Sequence, residues 1–234
     1  MKKHSIALLL LLVLLTGCGA KTEEAPWQTA YRETGKYLQE QDALSAGSVG
    51  GEWAVIGLSR AGLLSDETAQ SYEQTVEDYV KQAGSVRLHH AKSTENSRAI
   101  LGLTAAGYNA ANMAGVDLTA GLTDMAYLRA QGTNGPIWAL IALDCHGYDI
   151  PQCADGEEQT TCEGLVAEIL SYQCSDGGWA LMGDESDVDM TAMALTSLAP
   201  YQEETDIKAA VDAPLTYLSD AQQADGGFMS WGAA

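Results

Sequence analysis

Four acidic side chains lie close together in one short segment and could do chemistry there. They are Asp184, Glu185, Asp187 and Asp189, and an apolar run follows directly after them. Carboxylates in that position accept hydrogen bonds from the free amides of a helix N-terminus and interact favourably with its dipole. The same oxygens could instead bind Ca²⁺, which is abundant outside cells, although the spacing is not that of an EF-hand loop. We expect helix capping for Asp187 and Asp189, and calcium is the one cofactor that the segment could hold.

The N-terminus has the pattern of an export signal. Two lysines precede an apolar run over 6–15, which is too short to cross a membrane as a helix but fits the core of a signal peptide. The run ends in Leu-Thr-Gly-Cys, which resembles the lipobox of bacterial lipoproteins, a family in which the preceding peptide is removed and the cysteine is lipidated. We therefore predict a signal peptide over 1–17, a lipidated Cys18 with a tether over 18–26, and an extracytoplasmic domain over 27–234 that the lipid anchors to the cell membrane.

Four further cysteines, an even number, are candidates for disulfides in an exported chain. They are Cys145, Cys153, Cys162 and Cys174, and no two of them form a C-x-x-C pair, which makes a zinc site the weaker interpretation. If a helix covers 160–172, Cys162 and Cys174 lie about 18 Å apart along its axis and cannot pair with each other. Cys162 could meet Cys153 or Cys145, and the partner of Cys174 stays open.

Charge and composition exclude several classes of function. The chain has 12 Lys plus Arg against 32 Asp plus Glu, a formal net charge of -20, so its field repels nucleic acid and anionic headgroups. Apolar residues make up 46% of the chain, which is enough for a sizeable core, whereas aromatic residues make up only 7%. Because Ala, Gly and Leu are abundant, we predict an all-α protein that does not bind nucleic acid.

The body of the chain repeats. Apolar segments that read as buried helices recur over 54–62, 99–107, 139–147 and 191–200. Amphipathic segments that read as half-exposed helices lie between them, over 27–41, 66–82, 116–130, 160–172 and 206–222. The unit is a helical hairpin of roughly 45 residues, and such units can close as two concentric rings or stay open as a solenoid.

The turns between hairpins carry a family resemblance. Three of them read QGTNGPIW, QCSDGGW and QADGGF, a pattern similar to the repeats of squalene-hopene cyclases and to turns of protein prenyltransferase β subunits. The segment DGGWALMGDESDVDMTAMALTSLAPY resembles the prenyltransferase and squalene-oxidase repeat lipoproteins of Gram-positive gut bacteria, which are related to the α/α barrel of transcobalamin and intrinsic factor. The resemblance covers 27–232 and implies an α/α toroid, which we expect to be incomplete because the family barrel has more hairpins.

The same resemblance implies a possible catalytic site. The run from Asp187 to Ala192 overlies the cyclase motif D-x-D-D-T-A, so Asp189 would be the general acid and Asp187 its hydrogen-bonded neighbour. Met190 stands where the motif has its third Asp, and the chain has only one Phe and five Trp to line a cavity for a cation. A cyclase or prenyltransferase-like enzyme is therefore the alternative function.

Three tryptophans are candidate ligand-binding residues. Trp53, Trp138 and Trp179 begin or precede apolar segments at the same end of the hairpins. Packing in the core is the ordinary role of such residues, but in a toroid that end also borders the mouth of the cavity. We predict a cell-surface lipoprotein that binds a small molecule or a surface partner without catalysis. The transcobalamin resemblance implies a corrinoid and the cyclase resemblance an isoprenoid, although we expect no second domain of the kind that closes a corrinoid site.

Overall fold

The fold is all-α, as the sequence predicts. The computed structural model describes residues 25–41, 44–48 and 50–229, and within them it has α-helices, three short 3₁₀-helices and two isolated β-bridges but no strand. The α-helices are α1 (Pro26–Gln39), α2 (Gly51–Arg60), α3 (Asp66–Ala83), α4 (Thr94–Ala105), α5 (Met125–Arg129), α6 (Asn134–Asp144), α7 (Cys162–Ser171), α8 (Val188–Leu198) and α9 (Thr205–Ala221).

The four predicted buried helices form one row. They are α2, α4, α6 and α8, and each packs against the next in that order. Helices α1, α7 and α9 pack on α2, α6 and α8 respectively. The row is apolar at its centre: Ile100, Leu140 and Leu198 are fully buried, and each such side chain contributes about 1.5–3 kcal/mol. These helices therefore exist because their apolar faces are buried against one another.

Helix α3 approaches the row through a glycine. Its Tyr72 is fully buried, and a Cβ atom on Gly102 of α4 would lie only 2.2 Å from the Tyr72 hydroxyl. The helix begins where Ser65 accepts a hydrogen bond from the Thr68 amide at 3.1 Å. It ends at Gly84, which has the left-handed φ of 60° that glycine adopts without strain. The caps at Ser65 and Gly84 thus set the length of α3. Because Gly102 has no side chain, α3 can pack close to α4.

The predicted amphipathic helix over 116–130 is wrong as one element. The structure has a 3₁₀-helix there, Leu118–Leu122, and then the short α5. Asp117 and Asp124 each accept a bond from the backbone amide two residues ahead, so each starts its own short helix. The start of α5 also pairs with a segment distant in sequence, because the Met125 amide donates to the Glu158 carbonyl at 2.8 Å. Local capping and this cross-chain pairing divide the segment.

The predicted signal peptide and Cys18 lie outside the described residues, as does most of the tether. Helix α1 begins at Pro26, where we predicted that the tether ends. Among the described residues, no helix has both the length and the apolar character that crossing a membrane requires.

Candidate functional site

A cleft of about 500 Å³ opens where the N-terminal ends of α2, α4 and α6 meet. Nine described residues line it: Gly47, Trp53, Lys92, Thr94, Glu95, Arg98, Gln131, Asn134 and Trp138. The volume falls within the range of about 300–1,000 Å³ that is typical of small-molecule sites. Two aromatic side chains and six polar ones thus share one concave surface.

The two tryptophans of the cleft are in contact. The ring centroids of Trp53 and Trp138 are 5.2 Å apart, and the ring planes meet at 58°. Trp53 is 39% exposed, so part of its ring is open to a ligand. The structure thus brings together two of the three tryptophans that the sequence singled out as candidate ligand-binding residues.

The third tryptophan departs from that prediction. Trp179 has no exposed surface, and its indole N–H donates to the Ile169 carbonyl at 2.7 Å. Its backbone amide donates to the Thr191 hydroxyl at 3.0 Å, which ties the turn to the start of α8. Trp179 is therefore a core residue that holds α7 to α8, and it does not line the cleft.

Glutamine side chains of the repeated turns bridge neighbouring hairpins. The Gln131 side-chain oxygen accepts from the Ser93 hydroxyl and from the Thr94 amide, each at 3.0 Å, and so caps α4 at the cleft. The Gln173 amide donates to the carbonyls of Gly177 and Ala210, at 2.6 and 2.7 Å. The repeated glutamine therefore has a structural role, and at Gln131 that role shapes the cleft wall.

A salt bridge forms the polar wall of the cleft. Arg98 donates to Glu95 at 2.5 Å, and both side chains are only 15% exposed. The Tyr79 hydroxyl donates to the same carboxylate at 3.4 Å, which links α3 to the wall. Lys92 at the rim is exposed and forms no salt bridge with a described residue. These groups present charges of both signs to the cleft.

Glu52 lies directly behind the lining, and it is a residue that the sequence prediction missed. It is 1% exposed, and one of its oxygens accepts from the Gly47 amide at 2.7 Å. Burial raises the pKa of Glu52, whereas the Gly47 hydrogen bond and the charge of Arg98 lower it by less. A single carboxylate in the first turn of an otherwise apolar helix was the available signal.

Buried polar atoms without a hydrogen-bond partner concentrate around this cleft. In the described part of the chain they include Asn134 Oδ1 and Arg98 Nε in the lining, and Glu52 Oε2 behind it. The Tyr72 hydroxyl is another, and the Glu52 carboxylate and burial both raise the pKa of Tyr72, which places the two side chains near each other. Such atoms are rare in folded proteins because each costs about 1–3 kcal/mol, and four of those in the described residues lie in the lining of this cleft or close behind it.

The acidic segment caps a helix. Asp187 accepts from the Met190 amide at 2.7 Å and from the Leu181 amide at 3.1 Å, so it is the N-cap of α8, as we expected. Asp184 accepts from the amide and hydroxyl of Ser175, each at 2.8 Å. Asp189 is exposed in the first turn of α8. None of these side chains lines the cleft.

The calcium hypothesis gains no support from this arrangement. Among the residues that the structure describes, no three His, Cys, Asp or Glu side chains are grouped so that they could hold a metal ion. Two of the proposed ligands, Asp184 and Asp187, already accept hydrogen bonds from the protein.

The four candidate disulfide cysteines are free thiols in the structure. Cys145 is exposed, Cys153 and Cys162 are partly buried, and Cys174 is buried. Burial raises the pKa of Cys162 and Cys174, which favours the protonated thiol over the reactive thiolate. The disulfide pairing stays a prediction.

The chain matches no protein-family model, no curated protein and no solved structure. What the cleft can do follows from its own chemistry. It offers aromatic faces, side chains that donate and accept hydrogen bonds, and charges of both signs, which together suit recognition of a small polar molecule.

Proposed function

We propose that the protein is a cell-surface lipoprotein that binds a small molecule at the cleft between Trp53 and Trp138, without catalysis. One observation carries the proposal: two tryptophans from different buried helices meet at the mouth of a cleft of about 500 Å³. Aromatic side chains supply large contact areas to ligands, and the polar residues around them supply orientation.

The proposed architecture is an incomplete α/α toroid. Support comes from the row of α2, α4, α6 and α8, with α1, α7 and α9 packed beside it, and from the repeated turns. The cleft lies at the N-terminal ends of α2, α4 and α6, where the mouth of such a toroid would be. A binding site at the rim of a repeat domain needs no catalytic group.

The proposed location is the outer face of the cell membrane. The lipobox-like run before Cys18 supports it, since lipid chains can hold a strongly acidic domain on a membrane that its charge alone would repel. The membrane is then a partner through the lipid, and the cleft remains available to a soluble ligand or to a molecule on the cell surface.

The alternative, a cyclase that uses Asp189 as its general acid, has less support. An acid that protonates an alkene must lie in a water-free cavity with aromatic walls. Asp189 is exposed, and Asp187, its partner in the motif, caps α8 instead. The aromatic pair lies in a cleft that neither side chain lines.

Native mass spectrometry of the full chain in detergent tests the proposal. The protein is incubated with cyanocobalamin, with squalene, or with a filtered extract of small metabolites. We expect an adduct that Trp53→Ala and Trp138→Ala abolish and that Trp27→Ala retains, because Trp27 is 68% exposed and does not line the cleft.

Three results would count against it. An adduct that persists in both cleft variants would place the site elsewhere, and the absence of any adduct, with an extract that contains mono- and oligosaccharides, would remove the binding function. Consumption of squalene that is lost in Asp189→Asn would favour the cyclase instead.

A further inference from the structure

We infer that the ligand of this cleft is a neutral saccharide, either a short oligosaccharide or the end of a glycan. The inference rests on the proposed function, because it names the class of ligand for the same cleft. Three properties carry it: the balance of charge, the unpartnered hydrogen-bonding atoms, and the geometry of the two tryptophans.

Charges of both signs surround the cleft, and they are equal in number when Glu52 behind the lining is counted. Lys92 and Arg98 line it with positive charge, and Glu95 lines it with negative charge, with Glu52 behind. A cationic ligand would meet the two basic side chains, and an anionic ligand would meet Glu95 and the field of a chain with net charge -20. The cleft therefore favours a ligand without net charge.

The unpartnered atoms comprise both donors and acceptors. Asn134 Oδ1 and Glu52 Oε2 accept hydrogen bonds, whereas Arg98 Nε and the Tyr72 hydroxyl donate them. A sugar hydroxyl donates and accepts at once, so it suits a lining that offers a side-chain amide and a guanidinium. The side chains of Asn134 and Arg98 line the cleft and would contact the ligand, whereas the unpartnered atoms themselves are buried and Glu52 and Tyr72 do not line the cleft.

The tryptophans offer a platform for a sugar ring. A pyranose has one face of C–H groups, which packs on an aromatic face while its hydroxyls point to the polar wall. The rings of Trp53 and Trp138 contact each other, with centroids 5.2 Å apart, so no gap remains between them for an ammonium group of the kind that aromatic cages hold.

The two other ligand classes fit less well. An isoprenoid would cover six polar lining side chains without offering them hydrogen bonds, which is unfavourable. A corrinoid with its side chains is larger than a cleft of about 500 Å³ and could only lie across its mouth. A saccharide matches both the volume and the polarity.

An array of neutral glycans, followed by calorimetric titration of the best binder, tests this inference. The full chain is kept in a polyoxyethylene detergent, which has no sugar headgroup to compete. We expect binding that Trp53→Ala and Trp138→Ala each weaken by at least about tenfold, that Asn134→Ala weakens by about fivefold, and that Trp27→Ala leaves unchanged. Trp53→Phe should retain part of the affinity, and the thermal midpoint of each variant shows that it is folded.

The outcomes separate the two proposals. If no neutral glycan binds but cyanocobalamin or squalene binds in a manner that depends on Trp53 and Trp138, the saccharide inference falls and the binding function stands. If an oligogalacturonate binds more tightly than every neutral glycan, the argument from charge balance is wrong and the inference falls with it. If nothing binds in a manner that depends on these tryptophans, both proposals fall.

Discussion

At the scale of single residues, Glu52 decides how the cleft responds to pH. Its carboxylate is buried, one oxygen has no hydrogen-bond partner, and burial raises its pKa above the ordinary value of 4.5. The folded state therefore keeps the Glu52 proton to a higher pH than the unfolded state does. The contribution of this group to stability is present in full below the unfolded pKa and is lost as the pH rises through the folded pKa.

We predict that Glu52→Gln stabilises the protein at pH 7, because the amide has no charge to bury. At pH 4, below the unfolded pKa of 4.5, the carboxyl is mostly neutral in both states and most of the gain should vanish. Thermal denaturation midpoints at the two pH values check this, with Glu203→Gln as the control at an exposed carboxylate. A variant less stable than the wild type at pH 7 would mean that attraction to Arg98 outweighs the desolvation of Glu52.

The sequence could predict part of the candidate site and not the rest. Trp53 and Trp138 stood out because their positions in the repeat put them at the same end of the buried helices. Asn134 and Arg98 did not, because polar side chains near the start of a helix are common and neither residue type nor spacing distinguishes these two. These two residues stand out only in the folded structure, where Asn134 Oδ1 and Arg98 Nε are buried without a hydrogen-bond partner.

At the scale of elements, Asp187 determines where α8 begins. It accepts bonds from two backbone amides, that of Met190 in the first turn and that of Leu181 in the preceding loop. We predict that Asp187→Ala lowers the free energy of unfolding by about 1–2 kcal/mol, measured by urea denaturation. Asp187→Asn should keep most of the stability, since an amide oxygen also caps.

Glu185→Ala serves as the matched control, because this acidic neighbour is exposed. Surface substitutions of that kind change stability by about 0.5 kcal/mol or less. Equal losses in the Asp187 and Glu185 variants would show that negative charge near the helix dipole matters and the cap hydrogen bond does not.

Periodicity predicted long helices well and short ones badly. The apolar runs around Leu103 and Leu140 are long enough to specify buried helices, and each lies where the structure has one. The segment over 116–130 has an amphipathic pattern, but Asp117 and Asp124 cap two shorter elements inside it. Side-chain caps and pairing with a distant segment override an amphipathic pattern, and periodicity records neither.

At the scale of the whole molecule, basic side chains act as bridges within an acidic protein. Arg87 contacts Asp124 at 3.1 Å and Glu157 at 2.6 Å, and Arg129 contacts Glu158 and Glu168 at 2.5 and 2.8 Å. The Arg129 pairs join the short helix α5 to the loop and helix that follow α6, and the Arg87 pairs join the loop before α4 to the start of α5 and to the loop after α6. The chain nevertheless has 32 acidic against 12 basic residues, so negative charge is in excess and the carboxylates repel one another.

That excess predicts how stability depends on salt. Raising NaCl from 20 to 500 mM at pH 7 shortens the screening length several-fold, which weakens repulsion between exposed carboxylates more than it weakens the partly buried arginine pairs. We expect stability to rise by roughly 1 kcal/mol, or about 2–4 °C in the thermal midpoint. The same titration near pH 4.3, the isoelectric point of the sequence, is the internal control, because little net charge remains there to screen and the gain should disappear. A thermal midpoint that falls with salt at pH 7 would instead mean that the salt bridges of Arg87 and Arg129 stabilise the protein by more than the repulsion between carboxylates destabilises it.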